Sequence, residues 1–157
     1  MTALATSGLR NNPTIIRKAT NENLTTSTTL QNDDELLIAI GANEVWAFMF
    51  VIFYTATDST PDIKCAVTFP AGATCFYGLP VNVGQFTDDT VSFFDVQTTS
   101  GNIIGNMAAT ANTKAMTIVG NISNGATSGN LQLQWAEVTS SGTLTVKAGS
   151  FLMAWKR

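Results

Sequence analysis

Histidine is absent from this chain. Its absence removes the commonest general base and the commonest transition-metal ligand, and leaves any nucleophilic Ser or Cys without its usual activating partner. Charge is scarce too. Only 12% of the residues are Asp, Glu, Lys or Arg, where ordinary soluble domains carry about 25%. The net charge is −3 and Lys and Arg form no run. No basic patch stands ready to neutralise phosphates, so no nucleic-acid partner is expected. Cysteine is limited to Cys65 and Cys75, too far apart for a CxxC zinc or redox motif. No Walker loop or dinucleotide-binding glycine pattern occurs. The most apolar run, Val45 to Tyr54, is about half the length that spans a bilayer, so no membrane partner is expected. The first residues lack a basic segment followed by a continuous apolar one, so no signal peptide is expected and a soluble product made inside a cell is the default.

What the chain has instead is Thr, its commonest residue, with abundant Ser, Asn and Gly over 157 positions. Thr is β-branched and suits pleated strands while still offering a hydroxyl to water. A surface poor in Lys and Glu also loses little on being buried against a neighbour. The length fits one domain, with residues 1–13 read as a small, polar, flexible arm and residues 14–157 as the folded body. Ile15 and Ile16 begin the first strand. Leu36 to Ile40 is a short apolar strand, preceded by a Gln31-Asn32-Asp33-Asp34 segment read as a turn. Val45 to Ala56 is the longest strand, and both of its faces are apolar. Trp46, Phe48, Phe50, Ile52 and Tyr54 form the face assigned to the core. Ala47, Met49, Val51 and Phe53 form the opposite face, assigned to a neighbouring chain. An uncovered Met49-Val51-Phe53 face would be an aggregation hazard. Asp58 to Asp62 is read as a turn followed by a strand through Phe69, and further strands are read at Ala73 to Gly78, Val91 to Gln97, Ala115 to Ile122, Asn130 to Val138, Thr143 to Lys147 and Ser150 to Trp155. Leu131, Leu133 and Trp135 share one face of the Asn130 to Val138 strand, with Gln132, Gln134 and Glu137 outside that set. Many short strands at regular spacing predict an all-β fold, an antiparallel two-sheet sandwich of jelly-roll-like form.

Candidates for chemistry are few, and no enzyme, cofactor or metal is expected. Asp33-Asp34-Glu35 and Asp88-Asp89 are acidic clusters read as solvated turn residues rather than a glycosidase pair, which would need two carboxylates facing each other across a sugar. Their spacing matches no EF-hand loop, although Asp and backbone oxygens are calcium ligands. Trp46, Trp135 and Trp155 could line a carbohydrate site but lie in apolar strand patterns and are read first as core. Cys65 and Cys75 could meet across a hairpin turning at Phe69 to Gly72. Register is open, and buried free thiols are the favoured reading.

Four stretches, read in order, carry a resemblance. They are Leu24 to Leu36 (LTTSTTLQNDDEL); Phe53-Tyr54-Thr55 with Thr60 to Lys64 (TPDIK); Leu131 to Ala136 (LQLQWA); and Thr145 to Leu152 (TVKAGSFL). From about Leu24 to the C-terminus the chain resembles a β-sandwich domain of tailed-bacteriophage virion proteins. The resemblance implies a structural role on the particle, of the head decoration (cement) type. It further implies a homo-oligomer, expected to be a trimer, made in the host cytoplasm and bound to the major capsid protein on the head surface. The resembled pattern has Glu or Arg at the positions of Val45, Ala47 and Met49, which are apolar here; this favours an additional contact surface. In this reading the arm, with Leu9 and Arg10, orders on contact with the shell or a neighbouring copy. The alternative is a tail or fibre-tip module that recognises host carbohydrate.

Overall fold

The computed structural model describes residues 12–80 and 96–157. In chain order the strands are β1 (Thr14–Arg17), β2 (Glu22–Thr25), β3 (Gln31–Ile40), β4 (Val45–Ala56), β5 (Ile63–Thr68), β6 (Thr74–Gly78), β7 (Ile103–Met107), β8 (Lys114–Ser123), β9 (Gly129–Glu137), β10 (Thr143–Val146) and β11 (Phe151–Lys156). No helix occurs among the described residues. The strands form a seven-stranded and a four-stranded sheet, both antiparallel, so the fold is an all-β two-sheet sandwich. The smaller sheet runs β3-β9-β5-β7. In the larger, β4 is the spine. It pairs with β8 on one edge and with β11 and then β10 on the other. Beyond these lie β6 on β8, β1 on β11 and β2 on β10.

β10 and β11 follow one another along β4, interrupted by Ala148-Gly149-Ser150. Opposite that interruption, Lys147 N donates to Phe53 O at 2.8 Å and Phe53 N donates to Ser150 Oγ at 2.9 Å. The buried Ser150 hydroxyl thus stands in for a missing ladder partner. Gly149 turns there with φ 93, a conformation that side chains disfavour. β1 and β2 break at the same level, where Lys18 N donates to Ser150 O and Gly149 N donates to Lys18 O. This double break turns the Lys18 side chain inward, where it is 0% exposed.

The core forms because inward-facing apolar residues alternate along the strands of both sheets. Trp46, Phe48, Phe50, Ile52, Tyr54 and Ala56 of β4 are all buried, and β3 and β9 bring Leu36, Ile38, Ile40, Leu131, Leu133 and Trp135 to the same core. Phe48 and Phe50 pack edge to face at 5.8 Å.

Several sequence expectations need correction. Gln31 to Asp34 is strand, not turn: β3 starts at Gln31 and carries an irregularity between Asn32 and Leu37. Asp33 is accordingly buried at 0% exposure rather than solvated. Glu137 has the parity of Trp135 and is also buried. It accepts hydrogen bonds from the backbone N of Thr26, Ser27 and Ser141, each at 3.1 Å, and so fixes a loop in which Thr26 adopts φ 50. The turn at Phe69 to Gly72 does not close a hairpin. β5 belongs to the smaller sheet and β6 to the larger, so the turn crosses between sheets and parts Cys65 from Cys75. Both cysteines are free and buried. β7 had no counterpart in the sequence reading. Of the strand expected from Val91 to Gln97, residues 91–95 lie outside the described residues, and Gln97 forms an isolated bridge to Tyr77.

A candidate assembly face

The two outer surfaces of the sandwich differ in chemistry. On the smaller sheet the outward positions of β9 and β5 include Gln132, Gln134, Lys64 and Thr68. On the larger sheet they are mainly apolar, and the register aligns them into cross-strand rows. Ile15, Met153, Met49 and Val119 form one row across β1, β11, β4 and β8. Arg17, Phe151, Val51 and Thr117 form the next; Trp155, Ala47, Asn121 and Phe76 form a third that reaches β6. Phe53 and Ala115 extend the face along β4 and β8. Ile15, Phe76 and Val119 are exposed, at 56%, 46% and 37%. Ala47, Met49, Val51, Phe53, Phe151, Met153 and Trp155 are half-buried by their neighbours on the sheet.

Arg17, at the β1 end of the second row, is charged, and the other side chains of these rows are not. Beyond Phe53 the face turns polar at Thr55, Thr145 and Asn23, where Thr145 Oγ1 donates to Asn23 Oδ1 at 2.8 Å. At the opposite end Lys156 pairs with Glu44, which also accepts from Gly41 N and Trp46 Nε1, each at 2.9 Å. Lys156 first, then these two donors, holds the Glu44 carboxyl at about 2, well below the ordinary value. Arg17 lies on the edge strand β1, opposite Phe151. The result is an apolar centre with a polar and ionic rim, the layout of a protein-contact surface.

The four residues assigned to a neighbouring chain, Ala47, Met49, Val51 and Phe53, therefore lie together on this face, and the residues paired with them from β8 and β11 enlarge it. Trp155 departs from the core reading. It points outward beside Ala47, because Leu152 and Ala154 are the inward residues of β11. Trp46 and Trp135 are buried. Leu9 and Arg10 of the arm, and Asp88 and Asp89, lie outside the described residues. Among the described residues no group of three or more His, Cys, Asp and Glu could hold a metal ion. Among those residues no helix is long and apolar enough to cross a membrane, which says nothing of spanning by strands. A cleft of about 510 Å³ opens beside Tyr54, Leu79, Met107, Lys114 and Met116 at the end of the core.

No protein-family model and no curated protein sequence matches the chain. Among solved structures it is similar to the tripod (BppUct-A-L) from the baseplate of bacteriophage Tuc2009, with 7% identity and a TM-score of 0.43 over 100% of this chain and 70% of that one. It is also similar to chains of infectious bursal disease virus. For the Gx strain the identity is 10% and the TM-score 0.27, over 99% of this chain and 43% of that one. For the Gt strain they are 10% and 0.25, over 100% and 42%. These likenesses are too low to carry a role across.

Proposed function

We propose that this chain is a non-catalytic structural protein of a virus particle, a head decoration protein that works by stacking its apolar face on a second copy of itself. The observation behind this is the apolar centre formed by Met49, Val51, Met153 and Trp155, with Arg17 as the charged end of one row. A face whose centre carries no charge meets its own copy there without like-charge repulsion, so a self-complementary contact needs no partner of opposite sign. The ionic rim at Glu44 and Lys156 then limits how far the contact slides. The strand orders β1-β11-β4-β8 and β3-β9-β5-β7, with the two interrupted pairs counted as single strands, support the jelly-roll-like expectation. A trimer on the head surface, bound to the major capsid protein, is the assembly expected from the sequence resemblance, and the self-complementary contact would then join copies of neighbouring trimers.

The deciding experiment mixes the purified chain with phage heads that lack it and measures occupancy by co-sedimentation and cryo-electron microscopy. Saturable binding of oligomers to heads is the expected result. A chain that never binds heads but binds host glycans would overturn the head assignment in favour of a tail or fibre-tip module.

A further inference from the structure

Away from the assembly face, the double strand break buries a reactive-looking pair. Lys18 and Asp33 are each 0% exposed, and Lys18 Nζ lies 3.0 Å from Asp33 Oδ1. Glu22 Oε2 is 2.5 Å from the same nitrogen, and Glu35 Oε1 is 3.9 Å away. Asp33 Oδ1 also accepts backbone hydrogen bonds from Glu35 N at 3.0 Å and Leu36 N at 2.8 Å. The other oxygen, Asp33 Oδ2, is buried with no hydrogen-bond partner. A buried carboxylate with one bare oxygen is costly as it stands. It is well arranged, however, to lose that oxygen.

We propose that Lys18 and Asp33 form an intramolecular isopeptide bond, with Glu22 relaying the protons. Glu22 Oε2 takes a proton from the ammonium, and the freed amine of Lys18 attacks Asp33 Cγ. The carbon–nitrogen bond forms while the carbonyl electron pair moves onto Oδ1, where the N–H groups of Glu35 and Leu36 stabilise the negative charge. Two protons pass in all from the nitrogen through Glu22 to Oδ2, which leaves as water as the carbonyl re-forms. An ammonium and a carboxylate hold between them the atoms of one amide and one water, so no oxidant, energy source or other reactant is needed. Glu22 ends as it began.

Two physical terms favour the product. A buried ion pair is expensive to keep out of water, and a neutral amide removes both of its charges, leaving Glu22 held by Gln31 Nε2 and Asp34 N. The fold also holds the reacting groups in contact, an arrangement whose effective concentration reaches about 10⁵–10⁸ M in well-oriented systems. Burial raises the pKa of the Glu22 carboxyl, although Lys18 beside it acts in the opposite sense; the Lys18 pKa is raised as well, burial lowering it but Glu22 and Asp33 outweighing that, so the contact geometry and not the pKa values carries the transfer.

Intact-mass measurement of the denatured protein tests the bond. The expected mass is that of the chain lighter by one water. Trypsin should cut after Arg17 but not after the acylated Lys18, giving residues 18–64 as one peptide that lacks the water. In Glu22→Gln the relay is lost, and the chain should keep its full mass and be cut after Lys18. A folded wild-type chain of full mass, cut normally after Lys18, overturns the proposal, and so does a missing water located outside residues 18–64. The wild-type measurement stands even where a variant fails to fold, and its outcome is independent of the assembly reading.

Discussion

Replacing Met49 with Glu places one carboxylate in the middle of the Ile15-Met153-Met49-Val119 row. In the isolated chain the new group reaches water, because Met49 is half-exposed on the outer face. Folding stability should change by no more than about 1 kcal/mol, the span of strand preferences at such positions. In a stacked pair the same carboxylate faces mainly apolar side chains, and the cation these rows hold is Arg17, at the β1 end of the adjacent row. An unpaired ion buried in that way costs several kcal/mol. Taking about 3–4 kcal/mol for the contact, the dissociation constant should rise about a hundredfold to a thousandfold. Sedimentation velocity over about 1 µM to 1 mM is the assay, since that range spans weak association. The wild-type chain should shift from monomer toward oligomer across it, Met49→Leu should do the same, and Met49→Glu should remain monomeric. Gln134→Glu on the polar outer face of the smaller sheet is the control and should associate as the wild type does. A wild-type chain that stays monomeric throughout, or a Met49→Glu chain that associates equally well, refutes the reasoning.

Gly120→Ala should destabilise the fold, because a Cβ there would stand 2.9 Å from Phe48 Cε1, closer still to Phe48 Cζ, and 2.6 Å from the backbone oxygen of Phe76. Overpacking of this kind costs about 1–3 kcal/mol; at about 2–4 °C per kcal/mol, the midpoint of thermal unfolding should fall measurably, and an unchanged midpoint would refute the clash. Glu44 carries a depressed pKa, so its contribution is present above the unfolded value of 4.5 and is lost as the pH falls toward about 2. Glu44→Gln should therefore be less stable than wild type at neutral pH and converge with it in acid, as followed by urea unfolding at a series of pH values. Burial pushes the Cys65 thiol up and the Cys75 thiol up to about 12, so a thiol-reactive dye at neutral pH should label neither until the chain is unfolded. Labelling of the native protein at the dye's intrinsic rate would contradict their burial.

The parts of this structure legible in the sequence are those that depend on local alternation. β4 was readable because its inward residues are aromatic or β-branched at every second position and its outward ones are also apolar. The parts that were not legible depend on partners far away in the chain. Gln31-Asn32-Asp33-Asp34 has the composition of a turn, and nothing local shows that Lys18, brought in by a break in another strand, lies 3.0 Å from Asp33. Phe69-Pro70-Ala71-Gly72 announces a reversal but not which sheet receives the next strand, and so the separation of Cys65 from Cys75 could not be read. Trp155 ends an apolar strand whose inward positions hold the smaller Leu152 and Ala154; bulk alone suggests the wrong face. The apolar nature of Ala47, Met49, Val51 and Phe53 was visible, but the register that sets Met153 and Trp155 beside them was not.

That register sets the size of the face and therefore the kind of assembly it can support. The five strands β1, β11, β4, β8 and β6 at about 4.8 Å spacing, and six steps of about 3.3 Å from Ala47 to Phe53, outline a patch of about 20 Å by 20 Å. That is about 400 Å² in projection, the scale at which apolar patches mark association sites. Stacking two such patches covers roughly 800 Å² in projection, which falls in the range of weak, transient contacts rather than obligate ones. A pair in free solution would therefore exchange readily. In the proposed assembly the same contact would be made by chains already tethered to a shell, where a high effective concentration turns a weak pairwise contact into durable occupancy. A face of this size thus fits the proposed role, in which single contacts are weak and many copies held together persist. Loss of one methionine to a charge should then be felt far more strongly in free pairing than in occupancy of a fully decorated head.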